Sequence, residues 1–137
     1  MIKLEPLRRG QYRQVAEWEF GPQPEDTDWG KYESEMSHPK WLHLAIYDGD
    51  FFIGCLSLEK ISDDEAEYHV VTARHAIKPG GLVEMLLGTA VDLFNAGFIR
   101  LTARIPASNR AATRLALRCG MTEVIRDDSI REFELRQ

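Results

Sequence analysis

The chain has 137 residues, of which 44% are hydrophobic and 28% are charged, and its net charge is -5. This length predicts a single domain over residues 1–137, large enough to bury roughly two thirds of the surface that the unfolded chain exposes. The acidic balance argues against nucleic-acid binding, which depends on basic surface, and favours a cationic or amine-bearing partner.

The sequence carries no sign of a membrane segment or a leader. No apolar run approaches the roughly 20 residues that a membrane-spanning helix needs, and the first residues lack the basic and apolar regions of a signal peptide. We therefore expect a cytoplasmic protein with no membrane partner. Cys55 and Cys119 form no C-x-x-C pair, which predicts free thiols rather than a disulfide framework or a zinc ribbon.

The first part of the chain predicts a strand and two helices. Alternation over residues 1–7 predicts an edge strand ended by proline, and helical spacing of apolar residues predicts a helix over residues 9–20. Two prolines and several acidic residues then predict a loop over residues 21–28. At its end, Asp28 can cap a short helix that reaches His38.

A hairpin and a third strand follow. Two apolar runs, Trp41–Tyr47 and Phe51–Lys60, flank a short Asp-Gly-Asp turn in which Gly49 supplies a positive φ. After an acidic turn, Ala66–Ala73 predicts the third strand.

The second half alternates helices and strands. A helix begins at Gly80-Gly81 and ends at Gly97, and Phe98–Ile105 predicts a strand. The last predicted elements are a helix from Asn109 to Cys119 stopped by Gly120, and an antiparallel pair, Met121–Ile125 with Ile130–Leu135.

This order of elements predicts an α+β fold with a mixed, mostly antiparallel sheet flanked by helices. One crossover helix joins the third strand to the next, which makes those two strands parallel. The exposed strands at either terminus allow a homodimer.

The stretch Glu67–Asn95 is a candidate anion site. A β-branched run enters a basic loop, passes Gly80 and Gly81, and continues into a helix whose first turn has no Ser, Thr, Asp or Asn. Such a helix start leaves backbone N–H donors at the positive helix end, which suits a phosphate. The alternative is a plain turn before a helix.

Taken in this order, the elements resemble those of the GNAT family of acyl-CoA-dependent N-acyltransferases. The resemblance is strongest in Leu101–Met121, which looks like the family's strand, N-x-x-A-x-x-L helix and G-F ending, with Met121 in place of Phe. It covers Glu65–Met121 well and extends to the whole element order. Among the members of the family, the sequence resembles the short phage-encoded ones most. The resemblance implies the GNAT fold and acetyl-CoA as co-substrate.

The family's phosphate loop reads Q/R-x-x-G-x-G/A, and Lys78–Val83 matches it with two departures. Lys78 replaces Gln or Arg, and Val83 replaces the last Gly or Ala, where it could crowd the loop. Gly80 and Gly81 let a backbone approach a phosphate closely. The resemblance implies that the pyrophosphate is held by Lys78, Gly80, Gly81, Leu82 and Val83.

Two residues are candidate bases. The family's strand glutamate lies eleven positions before the loop's first residue, so the resemblance implies Glu67 as general base, a role that requires burial to raise its pKa. His69 shares the strand face and has an imidazole pKa near neutral pH. Either acts directly or through water. The alternatives are an exposed strand glutamate and a packed histidine.

The family's usual acid, a tyrosine seven residues after the helix asparagine, is Ala116 here, which cannot donate a proton. Water or another group could protonate the leaving thiolate, the thiolate could leave unassisted, or the chain could be catalytically silent. The resemblance also implies that backbone N–H groups near Thr72 and Ala73 polarise the thioester and pair with pantetheine. Asn109 either binds pantetheine or caps its helix.

Other side chains complete the candidate site. Arg114 belongs to a basic stripe with Arg110 and Arg118 that could meet the cofactor phosphates or form a solvated face. The four histidines have no metal-ligand spacing, so we predict no metal. Five aromatic residues wall the acceptor side if the resemblance holds, or belong to the core: Trp18, Phe20, Trp29, Tyr32 and Trp41.

The leading hypothesis is therefore an acetyl-CoA-dependent N-acetyltransferase that acts on a primary amine of a small molecule or a protein. A second hypothesis is a catalytically silent binding protein with the same fold. A third is a nucleic-acid binder that uses the arginine stripe, which the net acidity disfavours.

Overall fold

The computed structural model describes residues 2–73 and 79–137. In chain order, its strands and helices are β1 (Ile2–Pro6), α1 (Tyr12–Phe20), α2 (Trp29–Met36), β2 (Trp41–Asp48), β3 (Phe51–Lys60), β4 (Glu65–Thr72), α3 (Pro79–Asn95), β5 (Arg100–Pro106), α4 (Arg110–Arg118), β6 (Thr122–Arg126) and β7 (Ile130–Arg136). The strands form one mixed sheet in the order β1-β2-β3-β4-β5-β7-β6, flanked by helices. The predicted α+β class is confirmed.

The predicted turn chemistry is present where the structure describes it. Asp28 caps α2 by accepting a hydrogen bond from the Lys31 N–H at 3.0 Å. Gly49 has φ of 59° in the β2–β3 turn, and Gly120 has φ of 82° after α4, a region that glycine enters without steric cost. β1 and β6 are the edge strands of the sheet, so a homodimer through a terminal strand stays a prediction.

Several element ends differ from the sequence prediction by one residue, and three differ by two or three residues. α1 begins at Tyr12, because Arg9–Gln11 form a separate 3₁₀ turn in which the Gln11 side chain accepts a hydrogen bond from the Arg8 N–H at 2.9 Å. α2 ends at Met36 instead of His38.

The third difference is the start of β5, which begins at Arg100 instead of Phe98. Gly97 has φ of 109°, and the Phe98 N–H donates to the Leu93 carbonyl at 3.1 Å. These two residues therefore close the end of α3 and are not available to start the strand.

The described residues divide into two compact units. The first comprises residues 2–58 with 69–73, and the second comprises residues 59–68 with 79–137. The prediction of a single domain remains a prediction. Cys55 and Cys119 are free and buried, and no helix among the described residues is long and apolar enough to cross a bilayer.

The first unit packs β3 closely against β4 at Gly54. A Cβ atom on Gly54 would lie 2.8 Å from the carbonyl oxygen of Val71 and 3.3 Å from both Ile46 Cδ1 and Thr72 Cγ2. Because the nearest of these atoms belongs to the backbone, it cannot move aside as a flexible side chain would. Glycine at this position therefore sets how closely the two strands approach.

The second unit is built on a short parallel ladder. β4 pairs with β5 through Glu65↔Arg100, Ala66↔Leu101 and Glu67↔Thr102. The ladder stops there, although β4 continues to Thr72 and β5 continues to Pro106. On its other edge β5 pairs with β7 over its whole length. The parallel pairing that the crossover predicted is confirmed.

An apolar cluster supports this ladder. Ala66 of β4, Ala90 of α3 and Leu101 of β5 are buried together, and Phe133 of β7 is fully buried. Half-buried hydrophobic side chains pack around the cluster, namely Tyr68, Leu93, Phe94, Phe98 and Leu135. α3 is thus held against the ladder by its apolar face.

We predict that Gly54→Ala lowers the free energy of unfolding by about 1 to 3 kcal/mol, because the added methyl group overpacks the β3–β4 contact. Gly88 is the matched control, since it lies inside α3 and a Cβ atom added to it would have no atom within 4 Å. Gly88→Ala should raise stability by up to about 1 kcal/mol, because alanine favours helix more than glycine does. Denaturant unfolding measures both, and a loss in both variants would contradict the close approach at Gly54.

A second pair of variants tests the hydroxyl groups of two tyrosines. Tyr47 accepts a hydrogen bond from Gln11 Nε2 at 2.7 Å, whereas the buried Tyr68 hydroxyl has no partner in the part of the chain that the structure describes. Tyr47→Phe should cost about 1 kcal/mol, and Tyr68→Phe should be neutral or stabilising. Thermal unfolding compares them, and a loss in Tyr68→Phe as large as that in Tyr47→Phe would show that its hydroxyl has a partner.

Candidate functional site

Glu67 lies on the last pair of the parallel ladder and is 8% exposed. Burial is the condition that the general-base role requires, because a desolvated carboxylate is a stronger base than a solvated one. A carboxylate oxygen of Glu59, on β3, lies within 4.8 Å of one from Glu67. Two carboxylates are also oxygen ligands for a hard cation, so the absence of a metal stays a prediction.

His69 follows Glu67 by two residues in β4, so strand alternation puts both on one face. The His69 ring lies 5.2 Å from the Trp41 ring, centroid to centroid. Trp41 in turn stacks on His43, with 5.4 Å between centroids and 18° between planes. The candidate base His69 therefore contacts a packed aromatic wall.

His43 is held at both ring nitrogens. Nε2 lies 2.7 Å from the Met36 carbonyl oxygen, and Nδ1 lies 2.6 Å from Ser57 Oγ. A carbonyl only accepts, so Nε2 carries the hydrogen and Nδ1 accepts from the Ser57 hydroxyl. Burial lowers the pKa of His43, which fits this neutral ring.

The two predicted backbone donors differ in their bonding. The Ala73 N–H donates to the Ile53 carbonyl at 2.9 Å, so this group is engaged by β3. Backbone N–H groups alternate direction along a strand, and the Thr72 N–H therefore points to the edge of β4 away from β3. Of the two, Thr72 is the better placed to donate to a ligand.

The predicted phosphate loop is described only in part. Lys78 and the histidine at position 75 lie outside the described residues. Pro79 starts α3, and Gly80 and Gly81 occupy its first turn, where backbone N–H groups have no partner inside the helix. Leu82 and Val83 are half-buried. Phosphate binding by these residues stays a prediction.

On α4, Asn109 caps the helix, and its Oδ1 atom accepts from the Ala112 N–H at 3.1 Å. This is one of the two roles that the sequence left open. The predicted stripe of Arg110, Arg114 and Arg118 is exposed. Cofactor binding by Asn109 and Arg114 stays a prediction.

The opposite face of α4 is buried and includes Ala116, which is 5% exposed, between Thr113 and Cys119. The Thr113 hydroxyl and the Tyr68 hydroxyl are both buried and have no partner among residues 2–73 and 79–137. Burial, with a smaller contribution from the Cys119 thiol, raises the pKa of Tyr68, which keeps its hydroxyl protonated. Sequence reasoning missed both hydroxyls, although alternation in β4 places Tyr68 opposite to Glu67.

Three of the five predicted wall residues belong to a continuous set of rings in the first unit. We call this set the ring series. Neighbouring centroids are 5.7 Å (Trp29–Tyr32), 6.5 Å (Tyr32–Tyr12), 5.8 Å (Tyr12–His43), 5.4 Å (His43–Trp41) and 5.2 Å (Trp41–His69) apart.

The other two predicted wall residues lie elsewhere. Trp18 packs on Phe52 with 4.8 Å between centroids, and Phe20 is 66% exposed. Neither is part of the ring series.

Glu19 is a further candidate that sequence reasoning did not single out. Its carboxylate interacts electrostatically with His69 and with Tyr32. The residue is exposed as a whole, yet partial burial of its carboxyl group raises its pKa, an effect that His69 opposes. The only sequence signal was its helical spacing with Tyr12, Val15 and Ala16, of which Val15 and Ala16 are buried.

Comparisons with known proteins agree with this fold. The sequence matches the Acetyltransferase (GNAT) family over residues 3–121, and no curated protein matches it. The structure is similar to a variant of the spermidine N-acetyltransferase of Vibrio cholerae, with 16% identity, a TM-score of 0.79, and coverage of 99% of this chain and 94% of that one.

Two ligand-bound structures are similar as well. The Vibrio cholerae spermidine N-acetyltransferase in complex with CoA and spermine gives 16% identity and a TM-score of 0.77 over 99% of this chain and 95% of that one. The Campylobacter jejuni N-acetyltransferase PseH in complex with acetyl coenzyme A gives 15% identity and a TM-score of 0.78 over 100% of this chain and 99% of that one. At such identities the likeness shows the fold alone.

The family match includes Glu65–Met121, the segment in which the sequence resemblance is good. The resemblance is thereby confirmed at the level of the family. This chain belongs to the Acetyltransferase (GNAT) family, whose members are N-acetyltransferases.

Proposed function

We propose that this chain transfers an acetyl group from acetyl-CoA to a primary amine of a small molecule or a protein. One observation carries the proposal: the β4–β5 ladder ends at Glu67↔Thr102 while both strands continue. A strand edge beyond the end of a ladder offers backbone groups to an extended ligand arm. The buried carboxylate of Glu67 lies at that end, so a binding edge and a base occur together.

In the proposed reaction, each residue has a separate role. Acetyl-CoA supplies a thioester, at which a C–N bond to the amine forms and the C–S bond breaks. Glu67 accepts the proton that the amine loses, directly, through water, or with His69 as the immediate base. The Thr72 N–H donates a hydrogen bond to the carbonyl oxygen on which negative charge develops.

The start of α3 supplies the phosphate-binding part of the proposal. The N–H groups of Gly80 and Gly81 point out of the first helical turn, and anions bind there because of the helix dipole. Lys78 adds a positive charge next to them in sequence. Val83, which follows, is half-buried in α3.

A second candidate function is a catalytically silent binding protein, which Ala116 favours. This position is on the packed face of α4, so no proton donor stands where the family's tyrosine would be. In an active enzyme the thiolate is a modest base that leaves without a proton donor from α4, and the proton that Glu67 accepted passes to solvent.

Acetyl-CoA binding is the first test. Acetyl-CoA at about 100 times its dissociation constant should add about 2.7 kcal/mol to stability, which thermal unfolding detects. The acetyl thioester of cysteamine, which lacks the phosphates, is the control and should give a smaller shift. No shift at millimolar acetyl-CoA would reject both the enzyme and the proposed cofactor site, whereas a shift without acetylation of any amine would favour the silent binding protein.

The second test concerns the base. Glu67→Gln should lower kcat for amine acetylation by about 10²-fold to 10⁴-fold and leave the affinity for acetyl-CoA unchanged, because the carboxylate acts on the amine. Steady-state kinetics and calorimetric titration separate the two effects. His69→Gln, measured in parallel, shows which group takes the proton, and unchanged turnover in Glu67→Gln would remove Glu67 from this role.

A further inference from the structure

The helices α3 and α4 lie side by side on one face of the second unit. β5 and β6 are both antiparallel to β7 and are therefore parallel to each other, so α4 is a crossover helix, as α3 is between β4 and β5. The strand order β4-β5-β7-β6 makes both crossovers move the same way across the sheet. Right-handed crossovers then place both helices on one face and in the same direction, and α3 and α4 are in contact.

The outer face of α3 is acidic and apolar. From position 81 onward, the exposed residues of α3 all fall on one helical face, and they are Glu84, Leu87, Gly88, Val91, Asp92 and Asn95. Leu87 and Val91, which are 41% and 56% exposed, are one turn apart and are neighbours on the helix surface. They lie between two carboxylates along the helix, those of Glu84 and Asp92.

The outer face of α4 is basic and apolar. It carries Arg110, Arg114 and Arg118 at intervals of four residues, together with Leu117, which is 52% exposed. None of these arginines forms an ion pair with any residue in the two ranges that the structure describes, and neither do the two acids of α3. The two neighbouring helices therefore present unpaired charges of opposite sign, each beside exposed apolar side chains.

Such a surface is complementary to a rotated copy of itself. A two-fold axis that runs parallel to the helices exchanges their positions, so that α3 of one protomer lies over α4 of its partner and the reverse. Each contact then occurs twice, acidic α3 meets basic α4 both times, and the exposed apolar side chains are removed from water. An axis perpendicular to the helices would instead place α3 over α3 and bring like charges together.

We propose that the outer faces of α3 and α4 form the contact between two copies of this chain in a two-fold homodimer. This inference is independent of the proposed N-acetyltransferase function. It also differs from a dimer through a terminal strand, because β1 and β6 lie at the edges of the sheet and a contact through either edge would leave the outer faces of α3 and α4 uncovered.

Two double variants of the full chain test the pairing of charges. Glu84→Lys with Asp92→Lys makes the α3 face basic, and Arg114→Glu with Arg118→Glu makes the α4 face acidic. Either variant alone meets its own copy with like charges, so the dissociation constant of its dimer should rise about tenfold or more above that of the wild type. An equimolar mixture of the two variants should dimerise again, because each helix contact then joins opposite charges.

Sedimentation equilibrium without acetyl-CoA measures these dissociation constants, so that the cofactor role predicted for Arg114 does not enter. Native mass spectrometry of the mixture should show dimers with one copy of each variant. Glu25→Lys with Asp26→Lys is the matched control, since it changes the net charge by the same amount as the α3 variant, at exposed positions of the first unit. This control should associate as the wild type does.

A further variant tests the apolar part of the contact. Val91→Asp places an extra charge among the exposed apolar side chains and should also raise the dissociation constant about tenfold or more, because the carboxylate loses its hydration in the dimer. Since Val91 is exposed, the substitution leaves the core intact. Thermal unfolding of every variant checks that the fold is kept.

Three results would overturn the proposal. The first is a wild-type chain that stays monomeric at about 1 mM, since no specific contact is that weak. The second is a dimer that Val91→Asp and both double variants retain, which would favour a contact through a strand edge. The third is a loss of dimers in both double variants that their mixture does not restore. None of these results depends on whether the chain acetylates an amine.

Discussion

The parallel ladder between β4 and β5 is the interaction on which the rest of the site depends, and Arg100 holds it at its first pair. Its Nε atom donates to Glu134 on β7 at 2.6 Å, and one terminal nitrogen lies 3.4 Å from Glu65 on β4. The guanidinium thus ties three neighbouring strands at the base of the ladder. The hydrogen bond to Glu134 raises the pKa of Arg100, so the guanidinium keeps its positive charge.

Strand alternation places apolar core residues on one face of β4 and the candidate bases on the other. Ala66 is buried and Tyr68 packs in the apolar cluster of the second unit, while Glu67 and His69 occupy the other face. A slip of one residue in the pairing with β5 would exchange these faces and bury both titratable groups in the apolar cluster. The register fixed by Arg100 is therefore a condition for the chemistry as well as for the fold.

Much of this could be read from the sequence, and the remainder depended on contacts between distant segments. The glycine stops, the Asp28 cap and the crossover helix follow from local rules, and the element order with the Asn109 helix was enough to identify the family. The hydrogen bond from the Ala73 N–H to the Ile53 carbonyl could not be predicted, because the sequence of neither strand shows how β3 pairs with β4.

The same reason explains the side chains that were missed. Glu19 reads as an ordinary helix glutamate, because its electrostatic interactions are with residues of α2 and β4, which are distant in the sequence. Tyr68 reads as a strand tyrosine, since nothing in the sequence says that its hydroxyl ends without a partner. Trp18 and Phe20 were grouped with the other aromatic residues because they are near in the chain, but Trp18 packs on Phe52 and Phe20 is exposed.

The hydrogen bonds of His43 continue in one direction through the first unit. Because the Ser57 hydroxyl donates to His43, the Cys55 thiol, 3.5 Å from Ser57 Oγ, must be the donor to that oxygen, and burial raises the pKa of Cys55 so that it keeps its hydrogen. The chain ends at the carbonyl of Met36, the last residue of α2, where helix carbonyls lack internal partners. The end of α2, which contributes two rings to the ring series, is consequently joined to β2 and β3 by hydrogen bonds that run in one direction.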